Sequence, residues 1–141
     1  MTFVGINYLA VLIAALAGFG FGAVYYMALA QPWMNAIGWP PEQQAAKARG
    51  GFDSSKAPFL IAIVANLIMA WVLAGVIGHM GTVTIRNGVI SGAFCWLGFV
   101  VTTLAVNYAF GGRNPMLTLI DGGHWLGVLL IIGAVIGAFG V

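Results

Sequence analysis

Charge is nearly missing from this chain. Five Lys and Arg and three Asp and Glu make up 6% of its 141 residues, where a soluble domain carries about a quarter. So few charges cannot cover a water-facing surface. A soluble globular enzyme, a nucleic-acid binder and a disordered chain are excluded at once. The formal charge of +2 rests on too few groups to point to an acidic partner. Cysteine is scarce as well. A single Cys95 excludes an intrachain disulfide, and in its apolar setting it reads as a small hydrophobe. Alternation of apolar and polar residues is also lacking, which excludes a β-barrel.

What is present is hydrophobic sequence: 62% of the residues, with a mean hydropathy of +1.03. Four apolar runs, about 4–29, 58–78, 85–110 and 116–139, each reach the roughly 20 residues that cross a bilayer core. In lipid each must be helical, because open sheet edges leave backbone groups unpaired. The expectation is one all-α domain over 1–141. It is a polytopic membrane protein with four transmembrane helices in an antiparallel bundle. No basic residue precedes the first run, and the run is too long for a signal peptide. It reads as a retained helix.

The polar connector at about 31–56 opens with Pro32, Trp33 and Trp39. Pro40-Pro41-Glu42 reads as a helix start, and Lys47, Arg49 and Gly50-Gly51 as its end. This short helix is expected at the membrane surface, with its Trp rings at headgroup depth. Asp53, Ser54 and Ser55 are candidate caps for the second span. The two other connectors are short, which makes their flanking helices antiparallel neighbours. Lys47, Arg49, Lys56 and Arg113 fall on one side and Arg86 on the other. The positive-inside rule then places both termini outside a cell membrane and the connector in the cytoplasm. In a Gram-negative cell this would be the inner membrane.

Glycine is abundant, 21 of 141 residues, about twice the usual share. Gly18 and Gly22, Gly88 and Gly92, and Gly133 and Gly137 each repeat at four-residue spacing, which lets helix backbones approach closely. These grooves serve packing within one chain or against a second copy. Their number points to a homo-oligomer, or to a subunit of a larger membrane complex.

Polar side chains inside the spans are the candidates for chemistry. Asp121 and His124 share a face of the fourth span, roughly 7 and 12 Å inside the cytoplasmic boundary at 1.5 Å per residue. Asn66 lies at about the same depth in the second span. Tyr25 and Tyr26 lie near the inner end of the first. Thr103 and Asn107 share a face near the inner end of the third, in line with Trp96 and Gly92. All four helices thus bring polar groups to one depth band. An acid in a span needs a partner, and His124, Asn66, Asn107 or a Tyr hydroxyl could supply it. The cluster serves either to fix helix register or to hold a proton, ion or small ligand. The outer half holds Asn7, Ser91, His79 and Arg86 but no ionisable residue linking them to the cluster, which argues against a proton relay. No metalloprotease, nucleophile-elbow or phosphate-loop motif occurs. The two His and one Cys are spread over three segments and make a poor metal set. No cofactor is implied.

The runs Cys95-Trp96-Leu97-Gly98-Phe99-Val100, Asn107-Tyr108-Ala109-Phe110 and Leu119-Ile120-Asp121-Gly122-Gly123-His124-Trp125-Leu126 resemble a small bacterial membrane family. It is known as domain of unknown function seventeen sixty-one. Asn7-Tyr8-Leu9-Ala10, Gly22-Ala23-Val24-Tyr25-Tyr26 and Trp33 are similar to its first helix, with Tyr25-Tyr26 where the family has a Trp-Tyr pair. The resemblance covers nearly the whole chain and implies a four-span membrane protein. It implies no substrate, reaction or catalytic residue. The leading expectation is a non-enzymatic, self-associating membrane protein or assembly subunit. The alternative is a carrier or channel for a small solute or ion at the inner cluster. An intramembrane enzyme comes third.

Overall fold

A computed structural model describes residues 5–49 and 56–140. Among the described residues every regular element is helical. The first span, α1, runs Tyr8–Ala28 and starts on Asn7, whose side chain accepts from the Ala10 N–H at 3.1 Å. Two short helices follow, α2 at Ala30–Ala36 and α3 at Pro41–Ala48. Pro41 and Glu42 open α3 and Lys47 closes it, so proline and charges sit where the dipole favours them. Gly50 to Ser55, with the stop and cap residues expected there, lie outside the described residues. The second span, α4, runs Ala57–His79.

The third span is built in three pieces. Helix α5 runs Ile85–Cys95, a π-helical turn occupies Trp96–Val101, and α6 runs Thr102–Phe110. Thr84 caps its start by accepting from the Asn87 N–H. The fourth span, α7, runs Pro115–Phe139, capped by Asn114. All four spans are long and apolar enough to cross a membrane. The expected all-α, four-span bundle is thus the observed architecture.

Helix α7 is the centre of the bundle and packs on α1, α4, α5 and α6. Its partners α1 and α4 also pack on each other through small residues, with Ala14, Ala15, Ala70 and Ala74 buried in the core. Leu73, Ile77, Val128, Ile132 and Ile136 fill the remaining space. Large apolar side chains such as Leu60, Ile61, Phe94 and Phe99 point outward, as a lipid-facing surface requires. Lipid is as apolar as the core, so close van der Waals fit must hold the helices together.

The closest fit is between α5 and α7. A Cβ on Gly88 would strike the Gly133 carbonyl oxygen, and a Cβ on Gly133 would strike that of Gly88. Gly92 meets the Leu129 carbonyl and Gly137 that of Thr84 in the same way. Backbones at this separation bring glycine Cα–H groups onto carbonyl oxygens across the interface. Gly18 and Gly22 of α1 likewise face α4 and α7. All three glycine pairs are therefore covered by the chain's own helices. The expectation that some of these grooves face a second copy is corrected here for these three pairs, each of which meets the chain's own atoms.

Candidate functional site

Asp121 lies in the second turn of α7 and is 7% exposed. Its Oδ1 accepts from the Tyr26 hydroxyl at 2.7 Å and its Oδ2 from the Tyr108 hydroxyl at 2.6 Å. Tyr26 comes from the last turn of α1 and Tyr108 from α6. One carboxylate thereby joins three helices. Beside it the Tyr25 hydroxyl donates to the Ile120 carbonyl at 3.0 Å.

His124 sits one turn deeper, also 7% exposed. Aromatic rings surround its imidazole. Trp125 and Tyr26 lie at 4.6 and 4.7 Å between centroids, Tyr25 at 5.7 Å and Phe21 at 6.4 Å. Its Nε2 points at Gly22, where a Cβ would lie 2.6 Å away. Its Nδ1 is buried without a hydrogen-bond partner among the described residues.

Asn66, on α4, meets α1 one turn deeper again and is 3% exposed. Its Nδ2 donates to the Ala62 carbonyl at 2.9 Å. Its Oδ1 is buried without a conventional partner among the described residues and sits 2.7 Å from where a Gly18 Cβ would be. A glycine carries a Cα–H in that direction, a weak donor. Positions 18, 22 and 26 are successive turns on one face of α1, about 6 Å apart. Asn66, His124 and Asp121 meet that face in the same order. The polar groups form a ladder rather than a single knot.

The sequence places Asn107 and Thr103 in this cluster, and the structure does not. Both are exposed, and the Thr103 hydroxyl donates to its own helix at Phe99 O. The cause is the π turn at Trp96–Val101. A π turn accommodates an extra residue in the helical ladder, which rotates everything beyond it by about 100°. Val100, Leu104 and Tyr108 turn inward where a regular helix would bring Phe99, Thr103 and Asn107. Trp96 still faces α7 and donates from Nε1 to the Gly122 carbonyl at 2.7 Å. Tyr108 is thus the functional residue that sequence reasoning missed, and no feature of the sequence announces the π turn.

The cluster continues to the connector through stacked rings. Tyr26 packs edge-on against Trp33, and Trp33 against Trp39, both at 5.8 Å. The Lys47 Nζ lies 5.5 and 5.3 Å from the two indole centroids, within cation–π range. Gln44 ties α3 to α2 through Gln31 and Asn35.

Chemically, the site offers a carboxylate engaged on both oxygens and an imidazole in an aromatic cage. Among the described residues no three His, Cys, Asp or Glu side chains gather as a metal set would. Two shallow recesses mark the outer surface, one lined by α4 and one by α6 side chains, and neither touches Asp121 or His124.

A family model described as "Protein of unknown function (DUF1761)" matches residues 9–137. No curated protein matches the chain, and no solved structure does.

Proposed function

We propose that this chain, which belongs to the DUF1761 family, is a non-enzymatic, self-associating helical membrane protein that works as an assembly subunit. Its inner polar cluster is a structural lock. One observation carries this reading: both oxygens of Asp121 are taken by tyrosine hydroxyls from different helices. An engaged, buried carboxylate fixes depth and rotation of three helices, with one tyrosine donor on each of its oxygens. Interhelical hydrogen bonds in membranes contribute about 0.6–2 kcal/mol each, so the pair is worth more as a register device than as bulk stabilisation. The distribution of Lys and Arg supports termini outside and the connector inside a cell membrane.

The test is Asp121→Asn in proteoliposomes. A structural lock predicts weaker folding or assembly and no lost flux. Unchanged stability and assembly would contradict it.

A second reading, a carrier for a small solute or ion, has its own support in the unpartnered Asn66 Oδ1 and His124 Nδ1. Buried polar atoms are rarely left unpaired. Flux lost in Asp121→Asn or His124→Ala, with assembly intact, would put that reading first.

A further inference from the structure

Ser91 is a buried polar side chain that the inner cluster does not use. It is 4% exposed and sits on α5 between Gly88 and Gly92, the residues that meet the α7 backbone. Its hydroxyl donates to the Met80 Sδ at 3.3 Å, its one hydrogen bond among the described residues. A thioether is a weak acceptor, so this buried donor rests on a poor partner.

Met80 itself is 54% exposed. It follows the last residue of α4, in a run from Gly78 to Thr82 that is exposed throughout. Its polar neighbours His79 and Thr82 set this turn apart from the lipid-facing runs. Asn87 ties the turn to α5 by donating from Nδ2 to the Thr82 carbonyl at 2.9 Å. A sulfur is thus fixed at a polar end of the bundle. The Ser91 hydroxyl occupies one of its two lone pairs and leaves the other open. The other described methionines lack this combination. Met34 is 7% exposed, Met69 packs partly buried against the core, and Met27 lies on the lipid-facing side of α1. Met116, 48% exposed in the first turn of α7, has no donor at its sulfur.

We propose that Met80 is a site of reversible oxidation by hydrogen peroxide, taken to a single sulfoxide epimer because Ser91 covers the other lone pair. The open lone pair attacks one peroxide oxygen. The S–O bond forms as the O–O bond breaks, and sulfur gives two electrons to the peroxide. The proton of the transferred oxygen ends on the departing oxygen, which leaves as water. The product is polar and chiral at sulfur. The three rotatable bonds of Met let its new oxygen swing to the Ser91 hydroxyl, which exchanges a weak acceptor for a strong one. The oxidised turn stays anchored to α5, and a thiol-dependent reductase of matching hand restores the thioether.

The experiment exposes the full chain in lipid nanodiscs to hydrogen peroxide and maps added oxygen by mass spectrometry of its peptides. Each peptide pool then goes to the two methionine sulfoxide reductases, one specific for each epimer. The expected result is one added oxygen on Met80, removed by one reductase and left by the other, with Met34 unmodified. Met116 is the control within the same chain: both of its lone pairs are open, and its sulfoxide needs both enzymes. Ser91→Ala uncovers the second lone pair, and its Met80 sulfoxide then needs both enzymes too. Met80 left unoxidised while Met116 is oxidised overturns the site. A wild-type Met80 sulfoxide that needs both reductases overturns the role of Ser91, with no variant required. A single epimer that persists in Ser91→Ala overturns it as well.

Discussion

The Tyr108 hydroxyl lies 2.6 Å from Asp121 Oδ2, while the residue before it, Asn107, faces away from the bundle. That opposition is produced by the π turn at Trp96–Val101. It links a backbone irregularity in the third span to the polar lock of the fourth.

Removing either phenol should loosen the lock. Tyr26→Phe and Tyr108→Phe keep the ring and delete one donor. Each should cost about 1–2 kcal/mol, in the range for hydrogen bonds to a carboxylate or between membrane helices. Reversible unfolding in bicelles measures this. Tyr25→Phe loses only a bond to a helix carbonyl and should cost less.

Deleting Gly98 should convert the π turn to regular α-helix without disturbing a packed side chain, since nothing lies within 4 Å of its Cβ direction. The end of α6 then rotates, and Tyr108 leaves Asp121. Tyr108→Phe should therefore cost nothing further in the deletion background. An undiminished cost there would show that the π turn does not place Tyr108.

Alanine at Gly88 or Gly133 would drive a methyl into the opposing carbonyl. Backbone cannot step aside as a side chain does, so a loss of about 3 kcal/mol or more is expected. Gly98→Ala is the control. It meets open space and should gain up to about 1 kcal/mol in helix propensity. Thermal stability in detergent ranks the three.

Gly18→Ala should behave differently, because its methyl meets the end of a side chain, Asn66 Oδ1, at 2.7 Å. A destabilisation of about 1–3 kcal/mol is expected from overpacking. Asn66→Ala in the same chain removes the obstacle and should restore part of it. Additive losses in the double variant would mean that the two residues do not share this contact.

Much of the fold was legible because lipid leaves few options. Runs the length of a bilayer core must be helices, and short connectors make neighbours antiparallel. Pro41 and Glu42 announced α3 by the same chemistry that forms it. Asp121, His124 and Asn66 were found because buried polar groups in a span stand out. Asn107 and Thr103 were misplaced because a rotation of one residue inside an apolar run leaves no mark in composition. Glycine spacing marked the close-packing faces of α1, α5 and α7. It could not say that the same chain fills them, since a groove carries no information about its occupant.

The central claim is that Asp121 is held as a lock between helices. A double-mutant cycle between Tyr26→Phe and Asp121→Ala, measured by reversible unfolding in bicelles, tests it most directly. The account predicts a coupling of about 1 kcal/mol or more, with each single variant destabilised. Coupling near zero, with both single variants as stable as wild type, would contradict it.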